Sequence, residues 1–400
     1  MPLDNSEFKE LSQRYYGDIL AIRRHLHQFP ELSFQENETS KFVCQQLAEW
    51  GIPYQAGIGG TGIVAMIRGG RSGGAVTALR ADLDALPIQE ANDKPYRSRN
   101  DGVMHACGHD VHPSSLLGAA RILHRLRDQL RGDVKLIFQP GEEKNPGGAS
   151  ILIKEGVLEN PRPATIFGQH VYPSLETGKV GFRAGQYMAS ADELYLTVTG
   201  KGGHGAMPQD CVDPITVSAQ IITAVQQLVS RNSDPILPVV LTFGYIASNG
   251  GATNVIPDSV RLKGTFRTMD EKWRREAHVR IRKLVEGIAE AMGAKADLHI
   301  DVGYPCLQND ETLTARTEEY ARRYLGPDNV VELPIRMTSE DFAYYSHEIP
   351  ACFYRLGTGN IAKGITSPVH SNTFDIDEPA LETGMGLMAW IAASELEKEG

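Results

Sequence analysis

Ala75-Val76-Thr77-Ala78-Leu79-Arg80-Ala81-Asp82-Leu83-Asp84 is the stretch whose reading decides the fold. Residues 75–79 form a short apolar run next to glycines, which predicts a strand buried on both faces. The acids that follow suggest that its carboxyl end opens onto a site. Working outward, residues 63–67 predict a second buried strand. Upstream, Phe8, Leu11, Tyr15, Ile19, Ile22 and Leu26 recur at helical spacing over residues 7–28, until Pro30 disfavours helix in the residue before it. A further helix is expected over 38–50. Downstream, the pattern predicts a helix over 113–130, a strand over 133–139 and another over 166–170, with His170 at its end. Strands alternating with helices imply an open α/β sheet whose ligand site lies beyond the carboxyl ends of the strands.

After Gly185 the order changes. Strand 193–199, helix 213–230, strands 239–247 and 259–268, helix 271–292 and strand 296–302 spell βαββαβ, the split βαβ or ferredoxin-like unit. The first pattern resumes from Thr312. The expected organisation is therefore a discontinuous α/β domain with an open mixed sheet, residues 1–186 and 304–400, interrupted by an inserted domain over 187–303.

A chain of 400 residues with 41% hydrophobic and 22% charged side chains has the composition of an ordinary globular protein with room for two domains. Its formal charge of -10 argues against a nucleic-acid or anionic-membrane surface, which would call for clustered cations. Small or peptidic substrates fit better. The opening Met1-Pro2-Leu3-Asp4-Asn5-Ser6-Glu7 is acidic where a secretory signal is basic and then apolar, so a cytoplasmic location is expected. Five scattered cysteines, Cys44, Cys107, Cys211, Cys306 and Cys352, do not pair like a disulfide scaffold.

Only Cys107 sits among other metal-capable side chains, in His105-Ala106-Cys107-Gly108-His109-Asp110. A cysteine and a histidine two apart in a glycine turn can face one ion, and they can equally be a buried thiol beside a capping histidine. His105 reads either as a ligand or as support for the turn, and His112 as a capping or ligand-orienting side chain. Gln139-Pro140-Gly141-Glu142-Glu143 runs from a strand into a turn. Two adjacent carboxylates are most often a charged loop tip. A metal hydrolase, however, needs one acid on the ion and one off it to move protons, which makes Glu143 the ligand and Glu142 the base. His370 lies in Ser367-Pro368-Val369-His370-Ser371-Asn372-Thr373-Phe374, a loop without helical or strand period.

Taken together, Met104 to His112, Gly141-Glu142-Glu143, Gly168-Gln169-His170, the Gly200 to Pro208 segment around His204, Ser339-Glu340-Asp341-Phe342 and the His370 loop resemble the M20 peptidase family. The segment from Arg23 through Thr39 fits the same branch, that of the N-acyl-amino-acid amidohydrolases, which includes hippurate and auxin-conjugate hydrolases. The resemblance implies two divalent metal ions held by Cys107, His109, Glu143, His170 and His370, with zinc as the default and manganese, cobalt or nickel as alternatives. It implies that Glu142 is the general base and that the inserted domain is a lid through which the chain forms a homodimer. His204, from a partner subunit, would stabilise the oxyanion, and Asn254 and Arg267 would hold the substrate. Distant members place a histidine where this chain has Asp82, so no ligand is carried over there, and Asp84 has at most an orienting role. The activity implied is hydrolysis of the amide of an N-acyl amino acid. A carboxypeptidase or dipeptidase on short peptides is the alternative, and a metal-binding scaffold without activity is disfavoured by an intact Glu142.

Overall fold

The computed structural model describes residues 3–398. The chain divides into two compact units, one running through Gly185 and including Gln308–Pro334 and the chain from Asp341 onward, the other made of Gln186–Leu307 and Ile335–Glu340.

The first unit is built on an eight-stranded mixed sheet. Its strands are β1 (Tyr54–Ile58), β2 (Gly62–Ile67), β3 (Arg71–Asp82), β4 (Arg131–Gln139), β5 (Thr165–Glu176), β6 (Val180–Phe182), β7 (Val330–Glu332) and β8 (Ala351–Gly359), in the order β1-β2-β4-β3-β5-β8-β6-β7. β3 runs parallel to both β4 and β5, and β5 parallel to β8. These inner strands are apolar without a break where helices cover them, as in Leu136-Ile137-Phe138 and Ala351-Cys352-Phe353-Tyr354, all of them buried. The covering helices include α1 (Asn5–Gln28), α2 (Asn37–Glu49), α3 (Val111–Arg125), α4 (Gly148–Lys154), α5 (Glu311–Leu325) and α6 (Ala380–Leu396). α6 is buried along almost its whole length and packs on α1, α3 and β3, which is why its sequence shows no polar face.

Two expectations need correction. The helix expected over 113–130 is α3, which starts at Val111 and ends at Arg125, followed by a separate 3-10 turn, Arg127–Gln129. Pro113 is tolerated because it falls in the first turn, where the backbone N–H has no helical partner. His170 does not end its strand. β5 continues to Glu176 because β8 stays beside it, pairing Arg355 with His170, Leu356 with Val171 and Gly357 with Tyr172. The pairing with β3 stops earlier, at Arg80 with Gly168, so His170 still lies past the last β3 pair.

The second unit follows the βαββαβ order. Asp192–Thr199 lies between Ser259–Thr268 and Lys295–Val302, with Val239–Ser248 at the edge, every pair antiparallel. Leu194, Leu196 and Val198 alternate inward and meet Val217, Ile221 and Val225 of helix Pro214–Gln227 and Ala277, Ile281 and Val285 of helix Glu271–Ala291. Asp213 and Asp270 cap these helices by accepting hydrogen bonds from the N–H groups of Ile215 and Trp273. Among the described residues no helix is long and apolar enough to cross a membrane.

Candidate metal centre

The parallel register brings separate motifs of the first unit to one end of its sheet. Asp82, the last residue of β3, pairs with Gln139, the last of β4. From there one strand leads to Asp84 and the other, over Pro140 and Gly141, to Glu142 and Glu143. The segment before α3 carries Cys107 and His109 around Gly108, whose φ is +80°. A Cβ on Gly108 would lie 2.6 Å from a methyl of Val171 and 3.2 Å from the ring of Phe374, so only glycine lets this turn sit against β5. His370 is itself in the left-handed region, φ +63°, and its N–H donates to the carbonyl of Ala106 at 2.8 Å. That bond ties the His370 loop to the Cys107 turn.

The side chains converge accordingly. Cys107 Sγ is 3.5 Å from His170 Nε2 and 3.3 Å from His370 Nε2, while Glu143 Oε1 is 3.2 Å from His370 Nε2 and 3.9 Å from His109 Nε2. Donor atoms of Cys107, His109 and His170 lie within 4.8 Å of one another, as do those of Cys107, Glu143 and His370, so the thiol belongs to both groups. Glu142 has an oxygen within 4.8 Å of donor atoms of His109 and Glu143. Among the described residues the buried Nε2 of His109 has no hydrogen-bond partner of good geometry, and the buried Oε1 of Glu143 has only His370 Nε2 within reach, at 3.2 Å. Such atoms cost free energy unless a ligand or cation satisfies them, and a set of thiol, imidazoles and carboxylate fits a divalent transition metal.

The ring orientations are set from behind. His109 Nδ1 faces Asp84 Oδ1 at 3.2 Å, and His170 Nδ1 donates to the carbonyl of Val171 at 2.8 Å, so each ring turns its Nε2 toward the cluster; against its burial, Asp82 and Cys107 hold His109 well above the ordinary imidazole range. Burial and the neighbouring Arg355 hold His170 well below the ordinary imidazole range, which keeps it neutral. Burial and Glu143 push the Cys107 thiol up, and hydrogen bonds to Cys107 and Glu143 raise His370 to about 10. Without a cation the cluster therefore holds protons.

Asp84 does more than orient a ring. Its Oδ2 accepts from the N–H of Glu143 at 2.9 Å and from the Ser33 hydroxyl at 2.6 Å, so one carboxylate fixes both His109 and the backbone of Glu143. Asp82 gives Oδ2 to Arg80 at 2.7 Å and Oδ1 to His112 Nδ1 at 2.5 Å, while His112 Nε2 accepts from the N–H of Val171 at 3.0 Å. Both nitrogens of His112 are engaged inside the protein, which makes it a brace between β3 and β5. His105 is buried and outside these donor groups; burial lowers it to about 4, so it is neutral.

Several supporting residues escaped the sequence reading. Buried Glu36 accepts from the N–H of Gly141 at 2.8 Å and holds the turn that carries the two glutamates. Fully buried Arg23 lies 2.7 Å from Asp110 Oδ2 and 3.4 Å from Asp375 Oδ1, linking the turn after His109 to the loop after His370. His27 Nδ1 adds a 2.8 Å contact to Asp110. Nothing local marks these roles, since His27 meets Asp110, 83 residues away, Glu36 meets Gly141, 105 residues away, and Arg23 meets Asp375, 352 residues away.

His204, Asn254 and Arg267 belong to the second unit. His204 is exposed in a two-residue strand whose partner, Val255, follows Asn254, and the N–H of Gly205 donates to the Asn254 carbonyl at 2.7 Å. His204 Nδ1 accepts from the N–H of Ala206 at 3.1 Å, which leaves the hydrogen on Nε2. Half-buried Arg267 donates to the Met337 carbonyl at 3.1 Å and to the Ser339 hydroxyl at 3.4 Å; among the described residues no carboxylate stands within ion-pair distance of it.

Comparison with known proteins fits this geometry. Residues 78–394 match the model of peptidase family M20/M25/M40. The chain is 43% identical over 310 residues to an N-acyl-L-amino acid amidohydrolase of Geobacillus stearothermophilus, covering 77% of this chain and 83% of that one. It is 39% identical over 370 residues to thermostable carboxypeptidase 2 of Saccharolobus solfataricus, covering 92% of each. A solved Bacillus subtilis structure, described as a dinuclear metal binding peptidase from the M20 family, superposes with a TM-score of 0.83 at 36% identity, over 97% of this chain and 100% of that chain. The chain belongs to peptidase family M20/M25/M40 and is a metal-dependent enzyme of its amidohydrolase and peptidase type.

Proposed function

We propose that this enzyme hydrolyses the amide bond of N-acyl amino acids, releasing a carboxylic acid and a free amino acid. The observation that carries the reading is the buried Glu142, set beside a cluster of thiol, imidazole and carboxylate donors and not needed to complete either Cys107-containing group. Cys107, His109, Glu143, His170 and His370 would hold two divalent ions, zinc by default, with manganese, cobalt or nickel compatible with the same donors. Bound there, the ions supply Lewis acidity toward the amide carbonyl and bring the pKa of water toward neutrality.

The chain's own groups do the rest. Glu142 takes the proton from the attacking water and returns it to the leaving amine. His204, with its hydrogen on the exposed Nε2, is suited to donate to the oxyanion of the tetrahedral intermediate, from a partner subunit. Arg267 offers a planar fork to the free carboxylate of an amino acid, and the absence of a carboxylate within ion-pair distance of it among the described residues supports that role, with Asn254 joining it in binding. The second unit serves as lid and dimerisation domain. Its edge strand Val239–Ser248 exposes Tyr245 and Ile246, a surface suited to pairing in a homodimer. Five free cysteines suit a reducing, cytoplasmic setting.

Likeness to a carboxypeptidase favours a second reading, cleavage of short peptides. A side-by-side assay of hippurate, acetyl amino acids and dipeptides on metal-loaded protein separates the two. The acyl amino acids are expected to show kcat/KM at least ~10-fold above the dipeptides, a gap that one or two pocket contacts can produce. The reverse order would replace the first reading by the second.

The subunit-crossing role of His204 has its own test. Mixing inactive His204→Ala with inactive Glu142→Gln protein in equal amounts is expected to restore up to about a quarter of wild-type activity, because about half the dimers are hybrids and one of each hybrid's two sites is intact. No recovery after demonstrated subunit exchange would place His204 in its own chain's reaction.

A further inference from the structure

Glu142 leaves β4 by a Pro140-Gly141 turn whose glycine has φ +61°, so its carboxylate is not placed by strand geometry. A proton acceptor misplaced by about 1 Å can lose two orders of magnitude in rate, so something must hold it. One donor that reaches it is the N–H of Asp341, 3.3 Å from Glu142 Oε1.

Asp341 is itself held on several sides. Its buried Oδ1 accepts from Arg80 Nη2 at 2.5 Å and Gln139 Nε2 at 2.9 Å, and its Oδ2 from Gln139 Nε2 at 2.8 Å and the N–H of Ala149 at 2.9 Å. Arg80 also donates to Gln139 Oε1 at 2.9 Å and to Asp82 at 2.7 Å, and the Tyr345 hydroxyl donates to Gln139 Oε1 at 3.2 Å. One carboxylate thus joins β3, the end of β4 and the first turn of α4, while the same residue's backbone touches the base. Buried networks of this kind, with each member satisfied, hold a single geometry.

We infer that Asp341, anchored by Arg80, Gln139 and Ala149, is a positioning residue that sets where the Glu142 carboxylate stands; the inference rests on Glu142 acting as the base. An Asp341→Asn side chain keeps the shape but points an amide N–H₂ at one of these donors, which shifts the backbone N–H that Glu142 accepts.

The test is a double-mutant cycle on metal-loaded enzyme with an N-acyl amino acid substrate. Asp341→Asn is expected to lower kcat by about 10- to 100-fold with KM and metal content nearly unchanged. In a Glu142→Asp background, where the base is already displaced, the same change is expected to cost less than about 3-fold, since coupled groups are non-additive. In metal-free protein, amide hydrogen exchange across residues 139–149 is expected to speed up in Asp341→Asn. An equal loss in both backgrounds, an unchanged kcat, a loss that follows metal content, or unchanged exchange overturns the inference. If Asp341→Asn does not fold, Tyr345→Phe replaces it, with a fall of about 3-fold in the wild-type background and none in Glu142→Asp; equal effects or none overturn the inference. Glu142→Gln is assayed alongside. Activity in that variant removes the base itself, whereas an inactive Glu142→Gln with additive Asp341→Asn removes only the positioning role.

Discussion

Glu142→Gln protein is expected to bind its full complement of metal and turn over at least ~1,000-fold more slowly than wild type, because general acid–base transfer commonly contributes 10²–10⁴ and the proposed role uses this side chain in both directions. The amide has the same shape as the carboxylate and its oxygen can still accept from the N–H of Asp341, so the fold and the donor cluster are left as they are. What disappears is the capacity to take a proton from water and give it to the departing amine. Elemental analysis beside steady-state kinetics checks both halves. Full metal with near-normal kcat would remove Glu142 from the chemistry, and lost metal would mean that it serves as a donor.

The second large effect concerns Cys107. Its sulfur belongs to both donor groups, so Cys107→Ala should weaken metal binding at each of them, by more than the 10- to 100-fold (order of magnitude) typical of losing a mere supporting contact. The same side chain makes binding depend on pH in a definite direction. Burial keeps the cation-free thiol protonated, and contacts with Cys107 and Glu143 raise His370 to about 10. Below that pH both groups carry protons that a metal must displace, so affinity rises with pH and falls as the solution is acidified. His109, also held well above the ordinary imidazole range, adds to these, so at least two displaced protons give a change of at least roughly 100-fold per pH unit near neutrality. Calorimetric titration in two buffers of different ionisation enthalpy measures the protons released. Occupancy indifferent to pH between about 6 and 8, or full occupancy in Cys107→Ala, would contradict the shared-thiol arrangement.

Much of the architecture could be read from one residue after another. The alternation of Leu194, Leu196 and Val198, the helical spacing of Ala277, Ile281 and Val285, and the acid-tipped run ending at Asp82 each express a local backbone preference, and each element formed where it was expected within a few residues. Departures came where a neighbour decided the outcome. β5 runs on past His170 because β8 offers it a partner, a fact carried by residues 351–359 and absent from residues 165–176 themselves. Asp84 could be suspected of orienting a ring. That it also holds the N–H of Glu143 could not, since the two meet only through the parallel register of β3 and β4.

The sequence by itself determined the order of helices and strands, the mixed α/β class with its inserted βαββαβ unit, and the short-range pairs Cys107 with His109 and Glu142 with Glu143, because periodicity and turn chemistry act over a few residues. Only the tertiary structure decided that His170 and His370 reach the same sulfur, that Arg23 bridges two distant loops, and that Asp341 touches Glu142. Those meetings depend on which strands lie side by side, and strand pairing is settled by burial and hydrogen bonding summed over the whole chain.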